Sequence, residues 1–272
     1  MSPRPRQRRG ARSRKAGTRA PQDSLAAPAP VVILDRPQIG ENIGFAVRAM
    51  LNCGLGALRL VKPREAWPNA KAVAAAAGAE AVLTEARLFD SVADAVSDLN
   101  RLYAATARPR DMVKPVLTPR TAAVRMVAES RAGQRVGLLF GRERTGLAND
   151  DVARADAVIE VPLNPDFRSL NLAQAVLVCA YEWRLAAAAP EEGTEEAEPR
   201  RGRAAAPPTR RELEELFAHL ESELAAAGFL FPTEKRPRMV RNIRNMLTRA
   251  GRTAQEVRTL RGIIAALVKG RG

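Results

Sequence analysis

From residue 31 onward the chain alternates short apolar runs with longer stretches whose apolar residues return every three or four positions. The short runs are VVIL at 31–34, LRLV at 58–61, VLT at 82–84, LYAAT at 102–106, VGLLF at 136–140 and VIEV at 158–161. Their length and β-branched content predict strands. Between them the periodicity predicts helices from Ile43, through KAVAAAAGA at 71–79, from Ser91, near 119–130 and from Leu170. Runs that are apolar throughout, separated by helices, predict an α/β fold: a mainly parallel sheet with helices on both faces.

The pattern stops at two places. Residues 1–30 are rich in Arg, Pro and Ala and show no periodicity, which predicts a basic disordered tail. Residues 190–208 carry an acidic block, then a basic one, with several prolines, and predict a linker. The sheet-forming domain therefore spans 31–189. Beyond the linker, 209–272 predicts a small α-helical C-terminal domain of three helices. Thr209 with Glu212 and Thr253 with Glu256 each fit the S/T-x-x-E capping box. Leu213, Leu216, Leu220 and Leu224 supply an apolar stripe.

Composition narrows the class. Of 272 residues, 46% are apolar, enough for a sizeable core. No run of 18 uncharged apolar residues and no secretory-type apolar segment is present, so the expectation is a cytoplasmic protein with no membrane partner. Cys53 and Cys179 stand far apart without a C-x-x-C or a nearby His, arguing for buried thiols and no metal. The charge of +14 is unevenly spread. Residues 1–20 hold eight bases and no acid, and residues 232–272 hold eleven bases against Glu234 and Glu256. A near-neutral body with positive ends suits a polyanion, above all nucleic acid. The alternative for the C-terminal segment is an ordinary solvated face.

Three segments could carry chemistry. In VVILDRPQIGENIGFAVRAM, Asn42 is read as a helix N-cap and Arg48 sits one turn above Gly44, as if space were kept for something to approach; the alternative is an arginine reaching into solvent. In VGLLFGRERTGL, a strand runs into Gly141 and Gly146 with Glu143 between them; such a loop at the carboxyl end of a strand is where open α/β sheets bind ligands, or simply a tight turn. In VIEVPLNPDFRSLNLAQAVLVCAYE, Ser169 is read as the cap of a helix apolar on nearly every side, while Asn171 and Gln174 need partners if buried. Packing such a helix all round suggests a second subunit. His219 is the only histidine, and there is no P-loop and no G-x-G-x-x-G after the first strand, which removes Ser-His-Asp and Cys-His catalysis and weakens nucleotide readings.

Taken together, N-I-G-x-x-x-R at 42–48, F-G-R-E-R-x-G-L at 140–147 and the S-L-N-L ending at residue 172 resemble the three motifs of the SpoU/TrmH (SPOUT) superfamily of RNA 2′-O-ribose methyltransferases. ATARPR at 105–110 and NPDFRSLNLAQAV are similar to the subgroup that methylates cytidine or uridine at nucleotide 32 of tRNA. The resemblance implies a deep C-terminal trefoil knot, which periodicity alone would never suggest, an S-adenosyl-L-methionine cofactor and a homodimer. It implies cofactor contacts from Ala105, Thr106, Ala107, Gly141, Val161, Arg168, Ser169 and Leu170. It also implies catalytic positions at Asn42, Arg48, Glu143, Ser169 and Asn171. From the charge of the last domain, Arg241, Arg244 and Arg249 are the expected RNA phosphate contacts. An rRNA-directed enzyme of the same superfamily, and an RNA-binding protein without catalysis, remain the alternatives.

Overall fold

Five of the six apolar runs become strands of one sheet, and two further strands join its edges. In the computed structural model, which describes residues 27–107, 114–189, 207–249 and 254–269, the strands are β1 (Val31–Asp35), β2 (Leu58–Val61), β3 (Arg87–Phe89), β4 (Arg101–Ala105), β5 (Val116–Leu117), β6 (Val136–Phe140) and β7 (Ala157–Ile159). Their order is β3-β2-β1-β6-β4-β7-β5, and every pairing is parallel. All carboxyl ends therefore lie along one edge.

The run VLT is not a strand but part of helix α3 (Glu80–Thr84), whose Val82 and Leu83 are both buried. Three apolar residues do not distinguish a helical turn from a strand. The strands missed in the sequence are the two edges: β3 has mostly exposed side chains and β5 only two residues, so neither shows a hydrophobic signal.

The other helices of the first domain are α1 (Gly40–Asn52), α2 (Ala70–Ala76), α4 (Val92–Val96), α5 (Pro119–Arg131), α6 (Asn149–Arg154) and α7 (Leu172–Ala188). Alternation along the strands divides the core between two faces. Val32 and Leu34 of β1 pack with α1, α2, α5 and α7, while Ile33 between them packs with α4 and α6. Burying each such side chain contributes about 1.5–3 kcal/mol.

The C-terminal helices are α8 (Arg210–Ala226), α9 (Arg236–Arg249) and α10 (Ala254–Lys269). Leu213, Leu216 and Phe217 of α8 meet Val257 of α10, with Leu247 of α9 alongside. The Thr209–Glu212 capping box is formed, the Thr209 amide donating to Glu212 at 2.8 Å; Thr253 lies outside the described residues, as do 1–26 and 190–206. The start of α8 is fastened to the first domain. The Arg210 and Arg211 amides donate to Leu99 and Ser97 carbonyls at 2.8 and 2.9 Å. The Arg210 guanidinium, 3% exposed, donates to the Arg154 carbonyl at 2.7 Å and pairs with Asp156.

Candidate active site

Three loops leave the carboxyl edge of the sheet side by side: 105–107 after β4, 141–147 after β6 and 160–171 after β7. They surround a cavity of about 330 Å³, within the ~300–1,000 Å³ typical of small-ligand sites. Its wall includes Ala105, Thr106, Ala107, Gly141, Val161, Arg168, Ser169 and Leu170. The sequence expectation for a cofactor contact thus falls, at all eight positions, on one concavity. Missed in the sequence are Ile159 and Leu163, which also line it; they flank Val161 at two-residue spacing, and that period in an extended segment is the signal that could have found them.

The loop after β6 needs glycine at its first position. A Cβ on Gly141 would stand 2.3 Å from the Gly146 carbonyl carbon and 2.4 Å from the Leu147 nitrogen, so the chain can fold back on itself only without a side chain there. The Gly146 amide closes the turn by donating to the Arg142 carbonyl at 2.8 Å, with Gly146 itself at φ +64°. This turn aims Glu143 towards the start of α1.

Glu143 accepts from the Gln38 amide at 2.9 Å, from the Ile39 amide at 3.2 Å and from Asn42 Nδ2 at 3.1 Å. A carboxylate at this place also complements the positive end of the helix dipole. Asn42 is therefore not the N-cap of α1, as the sequence suggested. The helix begins at Gly40 after Ile39, whose side chain gives no cap, and Glu143, from another loop, takes the two backbone amides just ahead of it. Asn42, buried, turns its Oδ1 to Asn171 Nδ2 at 2.8 Å. Asn171 in turn accepts from the Ala173 amide at 2.8 Å, and its own amide donates to Gln174. The cap of α7 is thus Asn171, with Gln174 completing a capping box, and Ser169 is left in the loop to line the cavity. The polar pair in the apolar helix has found its partners.

Gly44 also serves another purpose than the one its spacing suggested. A Cβ there would lie 2.3 Å from the Ala72 carbonyl oxygen and 2.9 Å from the Ala76 nitrogen, so what approaches Gly44 is helix α2. Arg48 is exposed on α1 and does not line the cavity of its own chain. Near the same edge, burial raises the Asp35 carboxyl above the usual carboxylate range, with Arg36 and Arg142 pulling it back. Burial and then the charge of Asp35 raise Asp151 likewise. Among the described residues, no group of three or more His, Cys, Asp or Glu side chains could hold a metal ion, and no helix is long and apolar enough to cross a membrane.

The expected phosphate contacts are placed otherwise. Arg244 is held by Glu221 at 2.6 Å and Glu214 at 2.9 Å and lies over the Phe217 ring, so its guanidinium joins α9 to α8. Arg241 pairs with Asp150 of α6 at 3.3 Å. The Arg249 side chain lies outside the described ones.

The SpoU rRNA Methylase family matches residues 29–181, spanning the sheet and all three loops. The chain belongs to this family. A second match, the tRNA methyltransferase TrmJ C-terminal domain, covers residues 211–271. Among relatives of this SpoU family chain is the tRNA (cytidine/uridine-2′-O-)-methyltransferase TrmJ of Citrobacter koseri, 38% identical over 238 residues, which span 87% of this chain and 95% of the relative. The enzyme of the same name from Escherichia coli strain K12 is 37% identical, over 87% and 94% of the two chains. The crystal structure of TrmJ from Z. mobilis ZM4 superposes with a TM-score of 0.78 at 46% identity, covering 88% of this chain and 99% of that one.

Proposed function

We propose that this SpoU family protein transfers a methyl group from S-adenosyl-L-methionine to a ribose 2′-hydroxyl of tRNA, with nucleotide 32 of the anticodon loop as its target. The observation that carries the reading is the convergence of the second and third sequence motifs on one cavity, with the first motif tied to both by the Glu143–Asn42–Asn171 hydrogen bonds. The match of the C-terminal helices to a tRNA methyltransferase domain favours tRNA over rRNA.

The cavity suits the cofactor. Ile159, Leu163, Leu172 and Ala175 offer an apolar wall for a flat adenine, and the peptide groups of three strand-end loops with the Ser169 hydroxyl offer polar partners for a ribose and an amino-acid end. When bound, the cofactor supplies a methyl group on a sulfonium, already electrophilic. The protein must then align the hydroxyl with it and stabilise the charge that develops on oxygen. Glu143 already accepts from two backbone amides and Asn42, so it orients the site and leaves proton acceptance to another group. Asn171 and Asn42 fix the loop that carries Ser169.

Arg48 acts, in this reading, as a cation that holds the nucleotide phosphate and polarises the hydroxyl. It reaches the reaction across a homodimer. Phe45, 50% exposed on the same helix, and Leu177, Tyr181 and Leu185, exposed at helical spacing on the adjoining α7, form the apolar surface that a second copy covers. The domain limits of 31–189 and 209–272, the trefoil knot around the cavity and a cytoplasmic location belong to the same proposal. They draw support from the family membership and from the sheet order in which β4 lies between β6 and β7.

Arg48→Ala is the test. It should abolish methyl transfer while S-adenosylmethionine binding, followed by calorimetry, stays near normal. Turnover close to that of the unaltered protein would remove Arg48 from the mechanism.

A further inference from the structure

The loop between β7 and α7 does more than line the cavity. Asn164 organises its tip: the Asp166 amide donates to Asn164 Oδ1 at 3.0 Å, and the Phe167 amide to the Asn164 carbonyl at 2.9 Å. This Asx turn lifts one side chain out of the loop. Phe167 is 74% exposed, although Leu163 before it and Arg168, Ser169 and Leu170 after it all line the cavity. A large aromatic ring beside the cavity, turned away from the core, forgoes the burial that phenylalanine normally gains.

We propose that Phe167 is the stacking platform for an unpaired base of the RNA at the mouth of the cavity. The inference rests on the RNA methyltransferase reading above. A ribose presented to the cavity must hold its base outside it, and splayed RNA bases stack on aromatic faces. The neighbouring Arg168 is exposed and lines the cavity, which sets a cation for phosphate directly beside the ring. Stacking also suits the tolerance named for the relatives, which act on cytidine or uridine, because every base has a π-face and no edge hydrogen bond is read.

The test compares Phe167→Ala, Phe167→Leu, Phe167→Tyr and Phe167→Trp in the full chain, with in vitro transcribed tRNA. Ala and Leu should each lower kcat/KM for tRNA by roughly tenfold or more. Tyr and Trp should keep it within about threefold, and S-adenosylmethionine affinity and oligomeric state should be unchanged throughout. In Phe167→Trp, tRNA should quench the new indole fluorescence beyond any change in the unaltered protein. A Leu variant as active as the unaltered protein would overturn the proposal by showing that only apolar cover is needed. So would dissociation of the dimer in Phe167→Ala, which would make the ring a subunit contact. If the unaltered protein transfers no methyl to any RNA, the functional reading itself fails; if it does transfer and the Ala variant is unimpaired, only the role of Phe167 fails.

Discussion

The amide of Asn42 has one orientation that satisfies its surroundings. Its nitrogen must face the Glu143 carboxylate and its oxygen the Asn171 amide, so the motif asparagine is a directional link that an acid of the same shape cannot replace. Asn42→Asp sets two carboxylates in contact, and one of them is pushed to a raised pKa. The sign follows: the folded state then binds a proton more tightly than the unfolded chain, so the variant loses stability as pH rises and regains it as pH falls towards about 5. Denaturant melts of the variant and the unaltered protein at pH 5 and pH 8 should show the gap narrowing at the lower pH. Gly44 gives a second test. Adding a methyl group against the Ala72 carbonyl should cost about 1–3 kcal/mol, read as a shift in the urea midpoint; an unchanged midpoint would mean that α1 and α2 part easily.

At the scale of elements, α1 and α7 each have two duties: one side of each builds the core, and both leave apolar side chains on the outside. Leu177→Asp places a charge in the exposed row and should convert a dimer to monomers by light scattering, with methyl transfer lost although cofactor binding remains. A dimer that survives would move the interface elsewhere. The same elements show what a sequence can disclose. The central strands announced themselves because each is apolar on both faces, and α1 and α7 because their buried side chains recur every three or four residues. The edge strands β3 and β5 did not, being short or exposed. Asn42 is not a cap because the backbone amides just ahead of α1 are met by Glu143, about a hundred residues away in the chain, whereas a cap is recognised from neighbours in sequence; Ser169 is displaced by a second local candidate, Asn171, two residues on. Arg241 and Arg244 looked like free charge because their carboxylate partners lie on other helices, 91 residues away for Arg241 and 23 and 30 for Arg244.

At the scale of the molecule, buried charge fixes the C-terminal helices to the sheet domain. Arg210 reaches the Arg154 carbonyl and Asp156; Asp156 also accepts from the Leu102 amide at 2.7 Å, where β4 sets out towards the cavity. Arg154 pairs with Glu214, which also holds Arg244. The basic extension is thereby held in one position relative to the site. Arg210→Met leaves Asp156 with Arg101, at 3.9 Å, as its remaining cation and should cost at most about 3–5 kcal/mol, seen as a lower melting temperature. Tryptic cleavage that separates the two parts should also become faster.

Methyl transfer to the ribose of tRNA can be read directly. Purified protein is incubated with S-adenosylmethionine carrying a labelled methyl group and unmodified tRNA, the RNA is digested, and the fragments are analysed by mass spectrometry. The label should appear on the ribose of nucleotide 32, making the adjoining phosphodiester resistant to alkali. Label on a base, or none on any tRNA, would contradict the account.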